Sequence, residues 1–152
     1  MNARILRRGM GWWPPFLGAG IRVRSISEDF REATVELRLG LLNRNYVGTH
    51  FGGSLYAMTD PFFMIMLLHN LGGEYLLWDK SGSIEYVAPG RGTVSAHFHL
   101  TEERIADIKA RAAGGDKIFP EFEVDVKDQS GAIVAKVRKT LYVRLKPRNR
   151  PK

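Results

Sequence analysis

Residues 45–60, NYVGTHFGGSLYAMTD, hold the densest set of groups able to act on a substrate. Two adjacent glycines, Gly52 and Gly53, open a helix after a polar loop. Glycine lets a ligand approach the backbone, and the free N–H groups of a helix start attract a developing oxyanion. Asp60 follows Gly53 by seven residues, so a helix through both puts Asp60 on one face with Gly53 and Tyr56. Eight apolar residues, Pro61 to Leu68, come directly after it. A carboxylate at the head of such a run must be partnered, protonated, exposed or employed, because burying it unpaired is expensive. Beside an apolar cavity and on the face of a helix N-terminus, it suits hydrolysis. A rival reading makes Asp60 an N-cap with Pro61 at the first helical position. If the helix instead starts near Gly53, Pro61 removes an internal hydrogen bond and kinks it. The spacing leaves both readings open.

Other chemistry is sparse. There are no cysteines, which excludes disulfides, thiolate catalysis and Cys-ligated zinc, and fits a reducing compartment. GxGxxG, GxxxxGK[ST] and GxSxG are all missing, and Ser54 reads as a helix N-cap rather than a nucleophile. His97 and His99 point one way off a strand, but no third ligand stands near them, so no metal is expected. Glu121, Glu123 and Asp125 alternate too regularly for a tuned acid–base pair and read as a solvated face.

The elements that position these groups follow from periodicity. Period-two alternation predicts strands over 34–39, 93–100, 121–126 and 132–145, with weaker signals over 20–26 and 83–88. The 132–145 strand would be about 45 Å long and should curl. Its inner face reads Ile133, Ala135, Val137, Leu141, Val143 and Leu145, with Lys139 as the one exception. Residues 127–132 form a hairpin turn. Residues 101–115 form a surface helix with Thr101 as N-cap and one narrow apolar stripe. The run 62–68 is apolar all round, which predicts a helix buried on every side. Five or six antiparallel strands and one buried helix give an α+β fold, a sheet wrapped around that helix.

The net charge of +7 is concentrated at the ends. Residues 144–152 carry five Lys/Arg, and residues 1–8 carry Arg4, Arg7 and Arg8. Residues 9–143 have 15 basic and 16 acidic side chains, so the domain itself gives no nucleic-acid signal. The expected organisation is an aromatic and basic segment over 1–17, one domain over 18–145 and a flexible basic tail over 146–152. No apolar run approaches the roughly 18 residues a membrane span needs, and no secretory signal is evident. A cytoplasmic protein is expected.

Asn45, Gly48, Phe51-Gly52-Gly53 and Asp60 resemble the pattern of the hotdog-fold thioesterase superfamily: an Asn, a Gly, a His-Gly-Gly opening a long central helix, and an acid about two turns in. WPPFLGAGI, NRNYVGTHFGGSLYAMTDPFF and YVAPGRG are similar to a group within it called tetrameric acyl-CoA thioesterases, long catalogued as a domain of unknown function. The resemblance covers roughly residues 18–145. It implies a hotdog fold, a five- to six-stranded antiparallel sheet around one long central helix, and a homodimer or tetramer. It also implies hydrolysis of an acyl-CoA or acyl-carrier thioester. Asp60 would be general base or nucleophile, the Gly53 N–H, helped by Gly52, the oxyanion donor, and Asn45 the residue that orients water or carbonyl across a subunit boundary. His50, Phe51, Tyr56, Phe63 and Met64 would contact the substrate, with the acyl chain along the central helix. Arg91, Lys136, Arg138 and Lys139 are the basic candidates for coenzyme A phosphates. Coenzyme A enters only as part of the substrate, with no metal or other cofactor. One position departs from the pattern: Phe51 stands where the family has His, and His50 precedes it. THFGG also resembles the His-Phe-Pro-Gly of hotdog acyl dehydratases, which keeps two alternatives open: a hydratase using His50, or a non-catalytic acyl-binding protein.

Overall fold

The computed structural model describes residues 2–151; Met1 and Lys152, the ends of the basic segment and basic tail, lie outside the described residues. In chain order the elements are α1 (Ala3–Trp12), α2 (Pro14–Ala19), β1 (Ile21–Ile26), β2 (Glu32–Arg38), α3 (Gly52–Ala57) and α4 (Phe62–Leu71). There follow β3 (Tyr75–Tyr86), β4 (Thr93–His99), α5 (Glu102–Ala112), β5 (Glu121–Asp128), β6 (Ile133–Leu145) and a 3-10 turn over Pro147–Asn149. The six strands form one antiparallel sheet in the order β1-β2-β4-β5-β6-β3, so β1 and β3 are its two edges.

The alternating residues build the inner face as expected. Val35, Leu37, Val94, Ala96, Phe98, Val126, Val137, Leu141 and Val143 are fully buried against the central helical segment. Phe62 and Phe63 of α4 meet Phe98 at ring-centroid distances of 4.9 and 5.2 Å, and Phe63 stacks on Phe122 at 4.7 Å. Thr101 caps α5 through its side chain, accepting from the Arg104 N–H.

Four features depart from the sequence expectations. The long central helix is two helices, α3 and α4, separated by a turn over residues 58–61. The cause is Pro61, which cannot donate into a continuous ladder. Secondly, α4 is not covered on every side: Leu68 is exposed, and Met64 and Ile65 are half-buried. Thirdly, β3 starts at Tyr75, well before the predicted strand at 83, because its first half alternates poorly. Lastly, the segment ahead of β1 forms helices over Ala3–Trp12 and Pro14–Ala19, and Met10 and Phe16 join the main core.

β3 carries one irregularity that aims its side chains. Asp79 pairs with Leu141 and Ser81 with Thr140, so Lys80 is an extra residue, a β-bulge. Before the bulge the odd-numbered residues share a face with the inward side chains of β6. After it the even-numbered ones do, so Gly82 sits opposite Lys139 and Tyr86 opposite Ala135. Phe63 is the aromatic hinge of the core, since it contacts both β4 and β5. Phe63→Ala should cost about 3–5 kcal/mol of folding stability in a denaturant titration.

Candidate active site

Helix α3 begins at Gly52 with Phe51 as its N-cap, and no side chain caps it. Ser54 therefore lies inside the first turn rather than at the N-cap. The Gly52 and Gly53 N–H groups are among the orphan donors of a helix start, and no hydrogen bond among the described residues engages them. They open on a cavity of about 640 Å³ whose wall includes Asn45, His50, Phe51, Leu55, Tyr86 and Arg91. Both glycines are needed for packing. A Cβ on Gly52 would meet the Tyr86 hydroxyl at 2.8 Å, and one on Gly53 would meet the Phe51 ring at 2.5 Å. Tyr86 and Phe51 thus lie across the helix start, more than half exposed at the cavity.

Two polar residues fix the loop that forms this wall. Asn45 Nδ2 donates to Thr49 Oγ1 (2.8 Å) and the His50 carbonyl (3.2 Å), while Oδ1 accepts from the Val47 and Thr49 N–H groups (3.1 and 2.9 Å). Its amide is fully engaged as a loop staple. His50 is buried; its N–H donates to the Gly90 carbonyl at 3.0 Å, and its Nε2 lies 3.1 Å from the Gly92 carbonyl. A carbonyl only accepts, so Nε2 carries the proton and Nδ1 is a bare acceptor, buried without a partner among the described residues. Burial pushes the His50 pKa below its ordinary value, opposed by the bond to Gly92.

Asp60 does not line this cavity. It sits in the turn between α3 and α4, and Pro61, not Asp60, is the N-cap position of α4, with no side-chain cap bond. The carboxylate has a different partner. Lys139 Nζ donates to Asp60 Oδ1 at 2.6 Å and lies 3.3 Å from Asp79 Oδ1. Lys139 is 3% exposed, while the Asp60 side chain is 46% exposed. Burial pulls the Lys139 ammonium pKa down, but the Asp60 hydrogen bond and the charges of Asp60 and Asp79 outweigh it, so the net shift is upward. Burial, with a contribution from the Asp60 charge, pushes the Asp79 carboxyl up against the pull of Lys139. The Tyr56 ring stands 5.5 Å from the ammonium, and its hydroxyl lies against Gly82, where a side chain would collide with it. The unexplained lysine on the inner face of β6 and the unexplained acid before the apolar run are therefore one ion pair.

A model of the family described as a domain of unknown function, DUF4442, matches residues 2–143. The chain belongs to the DUF4442 family. No curated protein matches the sequence. Among solved structures, the DUF4442 chain is similar to a Pseudomonas aeruginosa protein of unknown function called a probable thioesterase, with 17% identity over 94% of this chain and 95% of that one, TM-score 0.81. It is also similar to thioesterase HI1161 from Haemophilus influenzae (13% identity, 95% and 92% covered, TM-score 0.68) and to thioesterase superfamily member 2 from Mus musculus (17%, 92% and 96%, TM-score 0.64). At these identities the likeness establishes the fold, which is the hotdog α+β fold that the motifs implied. No helix among the described residues is long and apolar enough to cross a membrane.

The predicted site residues of this DUF4442 chain fall in four places. Asn45, His50, Phe51, Gly52, Gly53 and Arg91 gather at the cavity. Asp60 and Tyr56 stand at the Lys139 cluster. Phe63 is buried in the core, and Met64 is half-buried on α4. Lys136 and Arg138 project from the opposite face of β6, where Arg138 pairs with Glu123 at 2.8 Å, and they reach neither group. Lys139, the fourth basic candidate, is turned inward onto Asp60. Asp79 was invisible in the sequence because its strand was not recognised.

The buried neutral His50 predicts a pH effect. An unfolded histidine titrates near 6.5 and the folded one lower, so in that window the unfolded chain binds more protons and stability falls as pH drops. His69, also shifted down by burial, acts in the same direction. Denaturant titrations at pH 7.5 and pH 5 should show the loss, and His50→Asn should shrink it.

Proposed function

We propose that this protein hydrolyses an acyl thioester, with coenzyme A or an acyl carrier as the leaving thiol. The observation that carries the reading is Asp60: a half-exposed carboxylate at a helix break, with one oxygen held by a buried lysine and Oδ2 left without a partner among the described residues. Burying an ammonium is costly, and packing alone does not call for one among Val137, Leu141 and Phe122. An ionised, oriented carboxylate is what a general base requires. Asp60 takes a proton from water, the water oxygen adds to the thioester carbon, and the carbonyl oxygen becomes an oxyanion met by the Gly52 and Gly53 N–H groups. The C–S bond then breaks, the proton passes to the departing thiolate, and a free acid remains. Direct attack by Asp60 on the carbonyl is the covalent variant of the same scheme. Arg91 at the cavity is the basic side chain suited to a coenzyme A phosphate.

Base and oxyanion donors open on different parts of one chain, and a second copy supplies the missing proximity. The edge strand β3 carries Asp79 in its first half and Tyr86 at its end, one beside each group. Antiparallel pairing of β3 with its copy about a two-fold axis sets the Asp79 end of one protomer beside the Tyr86 end of the other. Asp60 of one protomer then serves the cavity of its partner. The uncovered side of α4, with Met64 and Leu68, offers an apolar bed for the acyl chain.

The test is release of free thiol from a panel of acyl-CoAs. Asp60→Asn should lower kcat by a factor on the order of 10²–10⁴ with little change in KM, as expected for loss of a general base. No turnover on any chain length, or full activity in Asp60→Asn, would sink the proposal. Lys139→Met should lower kcat and alter its pH profile, whereas Lys139→Arg should restore part of both. Mixing Asp60→Asn with Gly53→Val under subunit exchange should restore about a quarter of wild-type activity, because half of the dimers would then carry one intact shared site. A hydratase using the bare Nδ1 of His50 is the second reading; enoyl-CoA hydration lost in His50→Gln but kept in Asp60→Asn would favour it.

A further inference from the structure

Helix α1 presents two apolar faces. Ala3, Leu6 and Met10 turn inward onto the core. On the opposite side Ile5 and Trp12, seven residues apart, share an outer face and are 62% and 79% exposed. Trp13 and Leu17 carry that apolar crest across the turn into α2, and both are also exposed. Four large apolar side chains held toward water within one short stretch of chain mark an interaction surface.

The charge beside the crest identifies what covers it. A groove of about 400 Å³ runs between the helices and β1, lined by Arg7, Arg8, Arg22 and Arg24, with Leu17 in its wall. Arg24 is paired with Glu36 at 3.3 Å, and Arg4 nearby with Glu28 at 3.5 Å. Glu36 also stands opposite Arg22 in the β1–β2 register, but its carboxylate goes to Arg24. Arg7, Arg8 and Arg22 have no ion pair among the described residues. Five arginines against two glutamates leave this face cationic.

We propose that this face docks on an anionic lipid bilayer, with Ile5, Trp12, Trp13 and Leu17 at the headgroup–acyl boundary and Arg7, Arg8 and Arg22 on headgroup phosphates. Tryptophan favours the membrane interface, where its ring is half in apolar and half in polar surroundings. The guanidinium fork matches phosphate oxygens. Aliphatic Ile5 and Leu17 offer no stacking platform, which weighs against a nucleic acid. A second copy bound face to face about a two-fold axis would set arginine against arginine. The crest lies at the β1 edge of the sheet, and β3 is the opposite edge, so docking here leaves the β3 edge free. The inference stands independently of the hydrolytic reading.

Co-sedimentation of the full chain with vesicles tests it. The protein should pellet with equimolar phosphatidylcholine–phosphatidylserine vesicles and not with phosphatidylcholine alone, and high salt should release most of it. Arg7→Gln and Arg22→Gln should each weaken binding roughly fivefold. Trp12→Gln, at an exposed position that leaves the fold intact, should weaken binding at low and high salt alike. In a Trp78→Phe background, fluorescence of Trp12 and Trp13 should shift to the blue on mixing. Neutralising Lys146, Arg148 and Arg150 of the tail should change nothing. Failure to pellet with either vesicle overturns the proposal. So does binding lost through the tail variant but kept in Arg7→Gln and Arg22→Gln. A Trp12→Gln change in solution mass without vesicle binding would assign the crest to a second copy. Arginine-dependent binding of an oligonucleotide in place of vesicles would assign the groove to nucleic acid. Either result overturns it too.

Discussion

A single buried ammonium organises the centre of this molecule. Lys139 sits on the inner face of β6 between Val137 and Leu141, where every other inward side chain of that strand is apolar. Left unpaired there, its charge would cost several kcal/mol. Three elements converge to prevent that. The turn between α3 and α4 delivers Asp60, the first half of β3 delivers Asp79, and α3 delivers the Tyr56 ring. Pro61 then has a second meaning. By ending the helical ladder it creates the turn from which Asp60 reaches the lysine.

The pairing also separates two carboxylates that burial would otherwise treat alike. Asp60 has the shorter contact to the ammonium and the greater exposure. Asp79 has the longer contact, and burial raises its pKa. One ammonium thus holds an accessible carboxylate by a short contact on one side and, by a longer one, a carboxyl whose pKa burial raises on the other. The glycine-started helix supplies the complementary part, bare N–H donors with no charge of their own. Chemistry that needs a fixed anion and a fixed partial positive charge is therefore divided between the two ends of α3.

Sheet and helix identities were legible where one face is buried, because alternation there is a direct record of packing. β2, β4, β5 and β6 follow the pattern within a residue or two. β3 escaped because an unpaired edge is solvated on both faces through much of its length, which removes the alternation. The helical start over 3–19 was masked by its glycines and prolines, yet Pro14 and Pro15 lie in the first turn of α2, where proline fits. At the candidate site, Gly52, Gly53 and Asp60 were visible as residue types at a spacing. Lys139 was visible only as a break in a pattern. Its partner lies 79 residues away in sequence, and no local rule connects them. Asn45 shows the converse: its amide holds its own loop, a use that residue type and family pattern alone do not reveal.

The Lys80 bulge makes the register of β3 a switch of parity. Upstream of it odd positions face inward, and downstream even positions do. Pair Lys80 with Thr140 instead, and the strand keeps its length and its hydrogen-bonding capacity while Gly82, Ile84 and Tyr86 trade places with their neighbours. The backbone against Tyr56 would gain a side chain, and the ring over Gly52 would leave the cavity. A one-residue slip of register at this point is therefore equivalent to rewriting half a strand, although no residue in the strand has been substituted. In this fold, the register at residue 80 carries as much information as identity at residue 60.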